Sequence, residues 1–539
     1  MEKRALIAVA ISLAILVLYQ EVILKQLYPQ PAVTPESAPP APPVPPESLP
    51  APVDLGAPPA GAVAAPAGRE LVIDTELYRA VIDSAGGRLA SFRLKRYRAA
   101  VAPDSPPQEI VSGGAPYPLG VQLRGKENLD DGGVEYQADR DHLELSGNGE
   151  GTLTLTGALG DATVTKTFAF RSGTYLIGLE VKVDGAAAFS ELGLTWHRAG
   201  ELTHAGSAPL FSQVAVLQGK KVLPEPFDGL ADGKVIDKDI VWAAYDGPHF
   251  LAAMVPRAGE SMRVWLKQRD RTTETMVLAP RRDGRLGAHL DVYAGPKTVD
   301  TLEQSGHSLA RAVDLGYFGF IAIPLLHALR WSNKVTGNYG LDIILLTVVI
   351  KVLFIPLTQK SFKSMKAMQK LQPEMARIRE KYKDQPEQVN KEVMELYRRH
   401  KVNPFGGCLP MVLQLPVFIG LYNALSHAVE LRHAPFFLWI NDLSAPDRLG
   451  ALAIPFVAPP GIPVLTLLMG ASMFIQQWMT PSTGDPQQQR VMMIMPVMFT
   501  FMFVSFPAGL TLYWLVNNVL TIGQQYVVSR PERRPQERS

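Results

Sequence analysis

The amino-acid sequence predicts an α-helical polytopic membrane protein that carries a large antiparallel β-sandwich outside the bilayer. Two contrasting patterns lead there. Long apolar runs occupy the N-terminus and much of the C-terminal part, whereas the middle of the chain is polar and alternates with period two. A dense basic block among the C-terminal apolar runs then fixes their orientation. Bulk composition discriminates less. The 539 residues suffice for several domains, and a formal net charge of +2 gives no global field that would attract nucleic acid, so no DNA partner is expected. The single cysteine, Cys408, excludes an intramolecular disulfide and a cysteine-rich metal site.

In chain order, residues 1–28 form the first apolar element. Ala5 to Tyr19 follow Lys3 and Arg4, and Val22, Ile23 and Leu24 extend the run to roughly the 20 residues a span needs. A cleaved signal peptide is the rival reading, but no clear small-x-small site follows the run, so an uncleaved transmembrane anchor is favoured. Residues 29–68 are rich in Pro and Ala and predict an extended tether that cannot build a core. Residues 69–306 alternate in short runs, as in Thr152-Leu153-Thr154-Leu155-Thr156, Val164 to Phe170 and Tyr175 to Val183. Gly147-Asn148-Gly149, Gly160-Asp161 and Ser172-Gly173 break them, which is the pattern of a β-sandwich.

Residues 307–336 contain an apolar, aromatic stretch, Gly316 to Trp331, that is short and interrupted by Pro324. It predicts an interfacial helix lying on the membrane. Residues 337–358 are the second span, 359–404 a basic helical hairpin, 405–528 four further spans with short loops, and 529–539 a basic tail. That makes six transmembrane helices, five of them grouped in the C-terminal part. Within the hairpin, Met365, Met368, Leu371, Met375, Ile378 and Tyr382 recur at three and four residues, Asp384-Gln385-Pro386 is a turn signal, and Val389, Val393, Leu396 and Tyr397 mark a second amphipathic helix. The bases between Gln359 and Lys401, including Lys360, Lys363, Lys366, Lys370, Arg377, Arg379, Arg398 and Arg399, place this hairpin in the cytoplasm, as do Arg530, Arg533, Arg534 and Arg538 for the tail. Six spans return the N-terminus to the same side. The β-domain then faces the periplasm of a two-membrane bacterium, and the chain is a multi-pass inner-membrane protein with both termini cytoplasmic.

Lys351 is the most informative residue. It sits inside the apolar run Ile343 to Phe354, and the next ionisable residue, Lys360, lies about 13 Å further along a helix. An ammonium in hydrocarbon costs several kcal/mol, so it should face water or a partner inside the bundle. Snorkelling to the headgroups is the alternative. Thr347 shares its face one turn away. In the last span Tyr513, Asn517, Thr521 and Gln524 form a polar stripe, and Gln414, Asn423, Gln476 and Gln477 occupy neighbouring spans. These side chains either bond helices together or line a hydrated cavity with Lys351. Met492, Met493, Met495, Met498 and Met502, with Phe499, Phe501 and Phe503, make one span pliant and apolar, suited to lipid, bundle core or varied apolar partners. Catalytic signatures are absent: no P-loop, G-x-S-x-G or H-E-x-x-H occurs, and His427, Glu430 and His433 do not have a zinc spacing. No enzyme, metal or cofactor is expected.

Several long segments resemble the YidC family of membrane insertases. They are KVNPFGGCLPMVLQLPVF (Lys401 to Phe418), GNYGLDIILLTVVIK (Gly337 to Lys351), ELRHAPFFLWINDLSAPD (Glu430 to Asp447), FPAGLTLYWLVNN (Phe506 to Asn518) and, in the β-region, YRAVIDSAGGRLASFRLKRY (Tyr78 to Tyr97). The resemblance implies that the five later spans form an insertase core around a groove open to the cytoplasm and to lipid. A family arginine there corresponds to Lys351, which keeps the charge and loses the planar donor fork. The implied groove set is Lys351, Thr347, Gln414, Tyr513, Trp514 and Asn517. The implied partners are nascent membrane-protein substrates, the Sec translocon with its accessory subunits, membrane lipids and, through the basic hairpin and tail, the ribosome. Two other functions fit parts of the sequence: a small-solute transporter using Lys351, and a periplasmic carbohydrate-binding protein built on the β-domain.

Overall fold

The computed structural model describes residues 68–529, apart from 103, 112–115, 200–209, 258–259, 261, 270–271, 384, 403–408, 455–456, 458 and 480–485. The anticipated N-terminal anchor, nearly all of the Pro/Ala-rich tether, Cys408 and the basic tail lie outside the described residues.

Strands run from Glu70 to Pro296. The nine-stranded sheet is ordered Lys221–Pro226, Gln213–Gln218, Ile240–Asp246, Phe250–Pro256, Leu286–Pro296, Leu176–Asp184, Ala162–Arg171, Glu150–Leu159, Gln137–Ala138. Its centre is a meander set by local alternation: Val164 pairs with Gly157 and Val183, and Phe168 with Leu153 and Leu179, so the inward sides of three strands bury one apolar layer. Five- and six-stranded sheets complete the domain. The sandwich anticipated from alternation therefore comprises three hydrogen-bonded sheets around a continuous core that includes Tyr78, Phe92, Phe168, Trp242 and Tyr293. One pairing departs from the antiparallel expectation: Glu70–Asp74 lies parallel to His142–Glu144. Parity within a strand is a local property, whereas the direction of a distant neighbour is not.

A polar knot ties the sheets together. Lys166, on the inward side of its strand, is fully buried. Its Nζ lies 2.6 Å from Asp131 Oδ2 and donates to the carbonyls of Gly86, Gly87 and Leu119 at 2.7, 3.1 and 3.1 Å. Arg88 closes the other side, with Nη2 donating to Asp131 Oδ1 at 2.9 Å and to Asp130 Oδ1 at 2.7 Å. Two cations thus meet two carboxylates, and the Lys166 donors reach the Gly86-Gly87 turn of the five-stranded sheet and Leu119 just before a strand of the six-stranded sheet. Burial pulls the Lys166 ammonium below its ordinary value, and Asp131 opposes that shift.

Beyond the last strand come nine helices among the described residues: α1 (Val299–Ser305), α2 (Gly319–Thr336), α3 (Tyr339–Lys370), α4 (Gln372–Lys381), α5 (Pro386–Arg399), α6 (Leu409–His427), α7 (Val464–Met479), α8 (Pro486–Phe503) and α9 (Ala508–Ser529). α2 falls in the segment anticipated as an interfacial helix. It runs through Pro324, buries Ala322, Leu326 and Leu329, and exposes Tyr317 just before it and Phe320, Trp331 and Val335 along it. It stops at Gly337, whose φ of 65° suits a residue without Cβ. Asn338 then caps α3, its Oδ1 accepting from Gly340 N at 2.9 Å and Leu341 N at 3.2 Å.

α3 differs from the sequence expectation, which ended the span at residue 358. The helix continues for 32 residues, about 48 Å, against roughly 30 Å of bilayer hydrocarbon. Nothing between Gln359 and Lys370 breaks a helix, so the span and the first arm of the basic hairpin are one element. After a break at Leu371, α4 and α5 fold back, with Met368, Leu371, Met375, Leu396 and Tyr397 as a small core of their own. Among the described residues α3 is the one helix whose length and hydropathy meet a strict spanning criterion, and Val464–Met479 and Met492–Phe503 are shorter apolar helices.

Candidate functional site

The helical core is built around α9, which packs against α7 on one side and α3 on the other. Its polar residues divide accordingly. Toward α7, Asn518 Nδ2 donates to Ser472 Oγ at 3.0 Å, and Gln525 Nε2 to the Met479 carbonyl at 2.8 Å. Toward α3, Gln524 Nε2 donates to Thr358 Oγ1 at 2.6 Å. These three contacts hold helices together, the plainer of the two roles open from sequence.

Lys351 enters the same α3–α9 seam. Its Nζ donates to Thr521 Oγ1 at 2.6 Å and lies 3.4 Å from Asn517 Oδ1. Thr521 Oγ1 in turn donates to the Asn517 carbonyl at 2.6 Å. The ammonium is therefore held by uncharged oxygens inside the bundle and has no carboxylate partner among its hydrogen bonds here. Its neighbours Val348, Val349, Val352 and Leu353 are exposed on the apolar surface of α3. A cation held only by neutral acceptors in such surroundings can still take up an anion.

The other expected groove residues occupy different positions. Thr347 is buried, and its hydroxyl donates to the Ile343 carbonyl of its own helix at 2.6 Å. Gln414 on α6 donates through Nε2 to the Tyr513 hydroxyl, joining α6 to α9. Trp514 stands edge-on to Phe418 at 4.6 Å and packs against Phe499 and Phe503 of α8 at 6.0 and 5.1 Å. The structure thus brings Lys351 and Asn517 together and, separately, Gln414 and Tyr513. Thr521 belonged to the polar stripe but not to the expected groove set. Its spacing of four from Asn517 was the available signal. Asn423 instead donates to the Leu315 carbonyl at 2.8 Å, beneath the chain entering α2.

Phe499 and Phe503 turn toward Trp514, while Met492, Met495, Met498 and Met502 are exposed with Ile494, Val497 and Phe501. These methionines add to the exposed apolar surface of α8.

The helical core is also clamped to the β-domain by Arg432, Arg330 and Glu430, which no sequence pattern marks as a site. Arg432, between α6 and α7, donates to the carbonyls of Arg98 and Ala99 at 2.6 and 3.0 Å and to Gln108 Oε1 at 2.8 Å, and lies over the Phe250 ring. Arg330 of α2 pairs with Asp300 of α1 at 2.6 Å and Glu430 at 2.8 Å. Buried His249, beside Arg432, is pushed down to about 3, first by burial and then by Arg432, His427, His433 and Lys297. On the β-domain, a cleft of about 620 Å³ is lined by Glu150, Arg171, Thr174, Arg257, Asp291 and Gln304 among others. Among the described residues no Trp, Tyr or Phe lines it.

Comparison with known proteins connects both halves to one group. The family described as 60Kd inner membrane protein matches residues 331–536, and the YidC periplasmic domain family matches residues 70–328. The membrane protein insertase YidC of Syntrophobacter fumaroxidans is 42% identical over 98% of this chain and 100% of its own. That of Pelobacter propionicus is 40% identical over 98% and 99%. The chain belongs to the YidC family of membrane protein insertases. The insertase is accordingly an inner-membrane protein with a β-rich periplasmic domain and a helical core, and the family's role is non-enzymatic. A solved structure of an active YidC insertase with its first transmembrane domain resolved aligns over 86% of this chain and 95% of its own, at 18% identity and a TM-score of 0.37.

Proposed function

We propose that this insertase moves the polar flank of a nascent membrane protein past the hydrocarbon by offering it the Lys351 ammonium, and releases the apolar helix sideways into lipid. The observation that carries this reading is a cation within an apolar helix whose hydrogen-bond partners are neutral, Thr521 and Asn517. A substrate carboxylate makes a stronger, charge-assisted bond than either oxygen does. Desolvation is the barrier for a polar tail, and a charge within the membrane reduces it. The substrate helix then partitions by its own hydrophobicity along surfaces such as the exposed methionines of α8. The groove set includes Thr347, Gln414, Tyr513 and Trp514 as its walls.

Six spans with both termini cytoplasmic accompany this reading, as does the division of the chain at residues 28, 68, 306, 336, 358, 404 and 528. The basic hairpin receives substrates, and with the basic tail it meets the ribosome electrostatically. The protein works alone or beside the Sec translocon.

The test is insertion of a single-span protein with an acidic N-terminal tail into liposomes. Vesicles with the wild-type protein should insert it above empty vesicles, and Lys351→Ala should lower the yield. Wild-type insertion unaffected by Lys351→Ala would transfer the work to the apolar surfaces. Lys351-dependent uptake of a small solute without insertion would instead support a transporter.

A further inference from the structure

We propose that Thr521 is a positioning residue that parks Lys351 against α9 and sets how firmly the lysine holds an incoming carboxylate. The inference rests on the reading of Lys351 given above and adds a determinant of substrate release. A threonine hydroxyl has one hydrogen and two lone pairs. The hydrogen of Thr521 is directed to the Asn517 carbonyl at 2.6 Å, which leaves its lone pairs for Lys351 Nζ, also at 2.6 Å. The side chain is therefore fixed as an acceptor toward the ammonium. Asn517 Oδ1, at 3.4 Å, is a longer second acceptor.

An ammonium carries three donors. Thr521 occupies one closely and Asn517 a second loosely, which leaves a third for an arriving carboxylate. A carboxylate that takes the third donor draws the ammonium toward itself and away from Thr521, and as it departs the hydroxyl reclaims the ammonium. Thr521 thus lowers the cost of letting the substrate go, because the cation does not have to return to an unsatisfied state in apolar surroundings. A compact lysine head can swing between such acceptors, whereas a planar guanidinium would need a wider set. Among the described residues the Thr521 hydroxyl bonds only to Lys351 and the Asn517 carbonyl.

The test compares wild type, Thr521→Val, Thr521→Ser, Lys351→Ala and Lys351→Ala/Thr521→Val in proteoliposomes. The probes are two versions of one single-span protein, with an acidic or a neutral N-terminal tail. Valine keeps the shape of threonine and removes the acceptor. For the acidic tail, Thr521→Val should lower both the half-saturating concentration and the maximal insertion rate, by about tenfold or more, as expected for loss of one hydrogen bond to a charged group. The neutral tail should be unaffected, Thr521→Ser should restore wild-type values, and the double variant should match Lys351→Ala. Equal losses on both tails, or a double variant worse than Lys351→Ala, would make Thr521 a packing residue and overturn the proposal. No effect of Thr521→Val while Lys351→Ala still impairs the acidic tail would also overturn it. A Lys351→Ala protein that does not distinguish the tails would refute the underlying reading of the lysine itself.

Discussion

Replacing Lys166 with Met should destabilise the periplasmic domain severely, and the size follows from what the ammonium touches. Methionine nearly matches the lysine stem in volume, so packing is largely preserved. What disappears is a buried charge 2.6 Å from Asp131 and the donor for the Gly86, Gly87 and Leu119 carbonyls. Asp131 retains Arg88, and the Tyr136 hydroxyl donates to it at 3.2 Å, yet the knot changes from two cations and two carboxylates to one cation and two carboxylates. Breaking a buried pair from one side costs about 3–5 kcal/mol. For a domain of this size that is roughly 6–20 °C in Tm. The assay is thermal unfolding of the full chain in detergent, followed by proteolysis of the strand region. Lys166→Met/Asp131→Asn should recover part of the loss, because it removes the stranded carboxylate. A fall in Tm of under about 3 °C for Lys166→Met would refute the reasoning, since it would mean that Arg88 and Tyr136 satisfy Asp131 without the lysine.

Four further outcomes are expected. Lys351→Ala should reduce insertion of acidic-tailed substrates in liposomes, and Thr521→Val should alter only their kinetics. His249 has a folded-state value near 3, below the ordinary histidine value, so the unfolded chain binds more protons between those limits and stability falls as pH drops through about 6.5. Between pH 7.5 and 5.5 this one group removes about 1.4 kcal/mol, and His249→Asn should flatten the pH dependence of unfolding by that amount. Arg432→Ala should loosen the β-domain from the helical core by removing its bonds to Arg98, Ala99 and Gln108, seen as faster proteolysis between residues 297 and 318, with the melting of the β-sheets unchanged.

Local pattern decided most elements of this protein, and the reason is that each depends on near neighbours. Alternation through Thr152 to Thr156 and Val164 to Phe170 gives strands, because successive side chains face opposite sides of a pleat. The apolar run of Val464 to Met479 gives a helix with those same ends. Lys351 was conspicuous in the sequence because a charge inside an apolar run has no local compensation. Family membership was equally visible in the long motifs, and the full-length relatives bear it out.

Tertiary structure alone decided which distant groups meet. Lys166 shares the inward parity of Val164 and Phe168, so burial of a lysine is implied by alternation, but its partner Asp131 lies in another part of the chain and no periodicity connects them. The same is true of Arg432 and the Arg98 carbonyl, and of the parallel pairing of Glu70–Asp74 with His142–Glu144. Lys351 illustrates the division most clearly. The sequence determined that its charge needs a partner inside the membrane, because hydrocarbon solvates an ammonium poorly. Only the packing of α3 against α9 decided that the partner is the Thr521 hydroxyl and not the nearer Thr347, whose hydrogen goes to its own helix at Ile343.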